Sequence, residues 1–152
     1  MSFQSALNSP NISSGNVGLE IVGVLINGVG SLSIPSDILT TLSSVYLSAG
    51  TWSITAQFNV LYQVGTTIYS RQNFLYKDTF VDSNILNGSG FVPSPPVVST
   101  NASYDQENNS TSFTLKEPAT IIFSTIINYT GQPIQANNPT QPAYIIKAIK
   151  IA

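Results

Sequence analysis

The chain is 152 residues long, sets five basic against seven acidic side chains for a formal net charge of −2, and contains neither histidine nor cysteine. Histidine supplies most general acid/base work, and with cysteine it supplies nearly all tight zinc, copper and iron sites. Their absence excludes a serine triad, a thiol nucleophile, a zinc hydrolase and a haem site as ordinarily built. With 42% hydrophobic and only 8% charged residues, the composition argues for a folded protein of single-domain size. No basic stripe exists, so nucleic acid and anionic membranes find little to bind.

The N-terminal stretch, Met1-Ser2-Phe3-Gln4-Ser5-Ala6-Leu7-Asn8, carries neither a basic region nor an apolar run, so no signal peptide is expected. Residues 1–15 are read as a flexible or arm-like segment of one domain spanning 1–152. The longest apolar stretch, 22–29, is interrupted by Gly23, Asn27 and Gly28 and is too short to span a bilayer. No membrane insertion is expected. Asn-x-Ser/Thr sequons stand at Asn11, Asn87, Asn101, Asn108, Asn109 and Asn128, but a chain rich in these residues generates them freely.

In chain order, the first strand candidates are 17–25 and 31–34. Glu20 interrupts the first and is read as an outward position, with Leu19 and Ile21 on the opposite face. Residues 39–47 follow Pro35-Ser36-Asp37 and predict a short helix capped by Ser36 or Asp37. The clearest element is 51–62, where Trp52, Ile54, Ala56, Phe58, Val60 and Tyr62 alternate with Ser53, Thr55, Gln57 and Asn59. That pattern predicts a long strand with Trp52, Ile54, Phe58 and Val60 in an intersheet core. Gln63-Val64-Gly65-Thr66 reads as a hairpin turn into a strand at 66–76.

Residues 88–110 form a long polar connection that nevertheless carries Phe91, Val92, Val97, Val98 and Tyr104. Long connections tend to be functional. The expected recognition residues are therefore Phe91, Val97, Tyr104, Asp105 and Glu107; the alternative is that 91–98 forms another strand. Further strands are expected at 111–115, 120–129 and 144–151. The last is apolar on both faces, which suits a central strand or one packed on a partner subunit. Roughly eight strands with polar loops and no βαβ spacing predict an all-β antiparallel sandwich or jelly roll.

Two segments resemble a known group. Val45-Tyr46-Leu47-Ser48-Ala49-Gly50-Thr51-Trp52-Ser53-Ile54-Thr55-Ala56 resembles a strand-leading motif of short jelly-roll domains in phage and large DNA virus structural proteins. The same motif occurs in the wider C1q/tumour-necrosis-factor-like group. Tyr144-Ile145-Ile146-Lys147-Ala148-Ile149-Lys150-Ile151-Ala152 resembles the final strand of those domains. The resemblance implies a jelly roll of eight to ten strands, trimeric about a threefold axis, with aromatic and aliphatic residues at the interface. Tyr46, Tyr62, Tyr144, Ile146 and Ile149 are the interface candidates here, tyrosine being suited to burying a ring while its hydroxyl keeps a hydrogen bond.

Carboxylate pairs remain the one route to hydrolysis without histidine. Asp78 with Asp82, and Asp105 with Glu107, are the candidates. The second pair also lies in a loop spaced faintly like calcium ligands, but too few acidic groups accompany it. No enzyme activity, metal or cofactor is expected. Arg71, the sole arginine, either forks onto a carboxylate across a subunit boundary or covers a strand edge. The expected function is a non-enzymatic homotrimeric structural or surface protein of a virion: capsid decoration, fibre head or host interaction. Its partners would be itself, other virion proteins, or a host receptor or glycan, and its location the virion or the infected cell's cytoplasm. Alternatives are a lectin-like carbohydrate-binding sandwich and a cellular C1q/tumour-necrosis-factor-like ligand.

Overall fold

The computed structural model describes residues 20–23, 32–136 and 144–152, and within them the chain forms two antiparallel sheets packed face to face. The strands are β1 (Glu20–Gly23), β2 (Leu32–Ile34), β3 (Thr40–Leu47), β4 (Gly50–Tyr62), β5 (Thr67–Lys77), β6 (Ile85–Phe91), β7 (Val97–Val98), β8 (Ser103–Leu115), β9 (Ala119–Thr130), β10 (Ile134–Ala136) and β11 (Tyr144–Lys150), with one 3-10 turn at Asp82–Asn84. The expected N-terminal arm, the sequon at Asn11 and the turn at Asn27-Gly28 lie outside the described residues.

The first sheet is organised by β4. At 13 residues it is long enough to carry three partners. β8 runs along its whole length on one side, from Gly50↔Leu115 to Tyr62↔Ser103. The other side is shared by β11 at Trp52–Phe58 and β10 at Val60 and Leu61, with β1 and β2 completing the edges. β11 therefore sits between β1 and β4, as its apolar faces anticipated. The second sheet runs β3-β9-β5, and β5 then pairs with β6 at Arg71–Tyr76 and with β7 at Thr67 and Ile68.

Alternation decides what meets between the sheets. Trp52, Ile54, Ala56, Phe58 and Val60 of β4 pack there with Leu42, Leu47, Leu75, Ile121, Phe123 and Ile127 of the second sheet. Phe58 and Phe123 meet edge to face at 5.7 Å, the arrangement that ring quadrupoles favour. The Trp52 indole N–H donates to the Ser48 carbonyl at 3.0 Å, so the large ring is buried without leaving a donor unpaired. Gly131 takes a positive φ of 95° because the β9–β10 turn presses on the β4–β5 turn. A Cβ there would overlap the Gly65 carbonyl oxygen.

Three expectations are corrected by these strands. Residues 40–47 are not helical but form β3, paired with β9 from Thr40↔Thr125 to Leu47↔Ala119. A bulge between Thr41 and Ser43 turns both Leu42 and Ser43 inward. That break interrupts the strict alternation by which a strand is recognised, and left the Ser36/Asp37 cap as the stronger local signal. The connection at 88–110 is mostly strand, divided among β6, β7 and β8. Tyr62 and Ile146, expected at a subunit interface, are buried in the core. Their inward phase on β4 and β11 turns them away from the outer faces of the sheets.

Candidate functional site: an open cleft at one end of the sandwich

Three separate stretches converge where β4 ends and β5 begins. Tyr62 closes β4, Ile68 and Arg71 rise from β5, and Phe91 ends β6. Val97 and Val98 form β7, and Ser103, Tyr104 and Asp105 open β8. With residues 99–101 they enclose a cleft of about 450 Å³, open to solvent. Its size falls within the ordinary range of ligand sites.

The position of Arg71 depends on an irregularity. Ile68 and Arg71 lie three apart and would face opposite ways on a regular strand. A register shift between Ile68 and Ser70 against β9 adds the odd residue, and Tyr69 is turned out to solvent. Ile68, Arg71, Asn73 and Leu75 consequently all face β4 and β8. A bulge that re-aims a functional side chain is a recurrent use of this device.

Arg71 holds the back of the cleft. Its guanidinium pairs with Glu107, donates to the Tyr62 hydroxyl, and lies 3.4 Å from Asp105 Oδ2. The ring of Phe91 lies beneath it at 4.5 Å, a cation–π distance. The second Glu107 oxygen accepts from Asn73 Nδ2 at 3.4 Å, and Asn73 Oδ1 accepts from Thr125 Oγ1 at 2.8 Å. A polar chain thus runs from the cleft into the sandwich, each group satisfied by the next. Burial raises the Glu107 carboxyl above its ordinary value against the opposing pull of Arg71. Burial likewise raises the Tyr62 phenol, again opposed by Arg71.

The seam continues along the open side between β6 and β8. Asn109 Nδ2 donates to Asn87 Oδ1 at 2.7 Å and its Oδ1 accepts from Ser89 at 3.0 Å. Asn109 is buried, so that sequon serves as a structural bridge between the two sheets.

The structure gathers four of the five expected recognition residues, Phe91, Val97, Tyr104 and Asp105, at this one cleft, and places Glu107 directly behind it. Arg71 forks onto carboxylates of its own chain rather than across a boundary or along an edge. Tyr62, Ile68, Val98 and Asn101 were missed as cleft residues. The alternation of β8, counted back from Leu115, would have turned Glu107 and Asp105 inward, but only if the strand were recognised as 13 residues long.

Asp105 and Glu107 grip one guanidinium and do not flank a free space. Asp78 Oδ1 accepts the Thr120 N–H at 2.9 Å and fixes the turn after β5, while Asp82 sits exposed in the 3-10 turn. Phe80 folds from that turn over Phe74 and Tyr76, at 4.9 and 5.2 Å. Among the described residues no three acidic side chains gather to hold a metal, and no helix is long and apolar enough to cross a membrane.

Of the interface candidates still at the surface, Tyr46 is 68% exposed and Ile149 37% exposed. The Tyr144 side chain lies outside the described residues. Ile149 borders a shallow groove of about 220 Å³ on the outer face of the first sheet, with Ile145, Lys147, Ser53, Thr55 and Gln57.

No family model matches the chain, and no curated protein matches it in sequence. Solved structures do match in fold. The Eiger TNF of S. frugiperda superposes with a TM-score of 0.53 at 11% identity, covering 90% of this chain and 94% of that one. Two infectious bursal disease virus structures, the T13 viral particle and the Gx strain, give TM-scores of 0.46 and 0.47 at 10% and 13% identity. Each covers 90% of this chain, which spans only 36% and 38% of those chains. The fold is a jelly roll of the tumour-necrosis-factor type.

Proposed function

We propose that the chain is a non-catalytic homotrimeric recognition module, with its contact site at the open cleft and a virion surface as its setting. The observation that carries the assembly is the placement of two exposed apolar side chains. Tyr46 projects from the outer face of the second sheet and Ile149 from the outer face of the first. Both lie toward the side where β3 approaches β1 and β11. Residues on opposite faces do not form one self-complementary patch, but they suit a head-to-tail contact repeated around a ring. Sparse surface charge fits the same reading, because a closed assembly hides strand edges that lysine would otherwise protect.

The recognition role is supported by the cleft. It assembles hydroxyl, amide and carboxylate groups around an exposed tyrosine, without the acid/base pair that hydrolysis needs. The virion setting is supported by the resemblance of 45–56 and 144–152 to viral jelly-roll segments. Light scattering behind size-exclusion chromatography tests the assembly: a trimer is expected, and a monomeric mass at micromolar concentration would refute it. Mass spectrometry of purified particles tests the setting, and absence of the chain from them would remove it.

A further inference from the structure

From the chemistry of the cleft we infer that it binds a neutral saccharide. This rests on the recognition half of the proposed function and is independent of threefold assembly. A sugar ring offers an apolar C–H face and a rim of hydroxyls that both donate and accept. The cleft offers the complement. Tyr104 is 55% exposed and presents a ring, which suits an amphipathic partner. Thr100, Asn101 and Ser103 stand in the wall, where an amide and two hydroxyls supply donors and acceptors together. Asp105 is half exposed at the edge of the cleft, and a carboxylate there can accept a sugar hydroxyl in a charge-assisted bond.

Charge sets the class. Arg71, the one cation of the cleft, faces two carboxylates, Asp105 and Glu107. The guanidinium is spent within the protein and the residual charge is negative, which disfavours sialylated, sulfated or phosphorylated ligands. A cationic ligand is disfavoured for a separate reason: the Phe91 face that would receive it already holds Arg71 at 4.5 Å. Arg71 is therefore a positioning residue that aims Asp105 and props Phe91.

The test titrates the labelled full chain with lactose, N-acetylglucosamine and methyl mannoside, and separately with sialyllactose and trimethyl-lysine, following backbone amide shifts. At least one neutral probe is expected to shift the amides of Asn101, Tyr104 and Asp105 saturably. Tyr104→Ala and Asp105→Asn should each weaken that probe about tenfold or more, equivalent to ~1.4 kcal/mol, while the core amides of Trp52 and Phe123 stay in place. Silence toward all three neutral probes overturns the inference. So does saturation of these amides by sialyllactose or trimethyl-lysine alone, or undiminished binding by Tyr104→Ala. Ile149→Asp keeps the two readings apart. Sugar shifts in a parent that proves monomeric would sink the assembly only, and a trimer without them would sink the cleft only.

Discussion

Single side chains carry unequal shares of this fold. Trp52 is fully buried and its indole nitrogen is paired with the Ser48 carbonyl, so truncation removes packing and that hydrogen bond together. Trp52→Ala should cost about 3–5 kcal/mol, a large part of the stability of a domain this size. Thermal unfolding checks this, and a melting point within a degree or two of the parent would contradict the burial. Glu107 makes a subtler prediction. Its carboxyl is raised by burial, so the native state holds this proton more tightly than the unfolded chain does. Its contribution is then fully present below the unfolded value and is lost as pH rises through the raised native value. Denaturant titrations of parent and Glu107→Gln, compared across that window, should differ in slope, the glutamine variant losing less stability as pH rises. Equal slopes would mean that burial does not govern this carboxyl.

At the scale of elements, the Arg71–Glu107 pair ties β5 of one sheet to β8 of the other. The two side chains are 13% and 15% exposed, so removing one partner leaves a poorly hydrated charge. Arg71→Met alone should destabilise by about 2–3 kcal/mol, somewhat under the cost for a fully buried pair, while Arg71→Met with Glu107→Leu should recover most of it. A double variant no more stable than the single would show that the charge pair, rather than its shape, holds the strands. The pair has a second consequence, because β8 is an edge strand of 13 residues without lysine or proline. Inward-pointing charge is one way to keep such an edge from pairing with a neighbour. Alternation made β4 legible from sequence in phase and nearly to the residue, and turn chemistry placed the reversal that follows it, but the expected hairpin is a crossing between sheets, because β4 and β5 do not pair. Where a bulge interrupts the period, at Thr41/Ser43 and Ile68/Ser70, the sequence misled. The first lies in the stretch expected to be helical, and the second turns Arg71 onto Glu107 of its own chain where a subunit boundary or a strand edge was expected. The cleft was half legible for a related reason: its apolar members stood out in a polar stretch, whereas Tyr62 and Ile68 looked like ordinary core.

For the whole molecule, the symmetry of the proposed assembly gives a sharper test than its mass. In the proposed trimer, one repeated contact would set the face bearing Tyr46 on one copy against the face bearing Ile149 on the next. Tyr46→Asp spoils one half of that contact and Ile149→Asp the other, so each variant alone should elute as a monomer of 16.2 kDa. Both side chains are exposed in the single chain, so neither change disturbs the core, and circular dichroism of each variant should match the parent. Mixed in equal amounts, the variants still own one intact contact: the undamaged Ile149 face of the Tyr46→Asp chain against the undamaged Tyr46 face of the Ile149→Asp chain. The mixture should therefore form a one-to-one pair and stop there, because the free faces of that pair are the two damaged ones. Any permanent contact of this kind should bury more than about 2,000 Å², so the pair should survive dilution to micromolar concentration. A mixture that stays monomeric, or a parent that never exceeds the monomer mass, would show that Tyr46 and Ile149 do not meet across a shared interface.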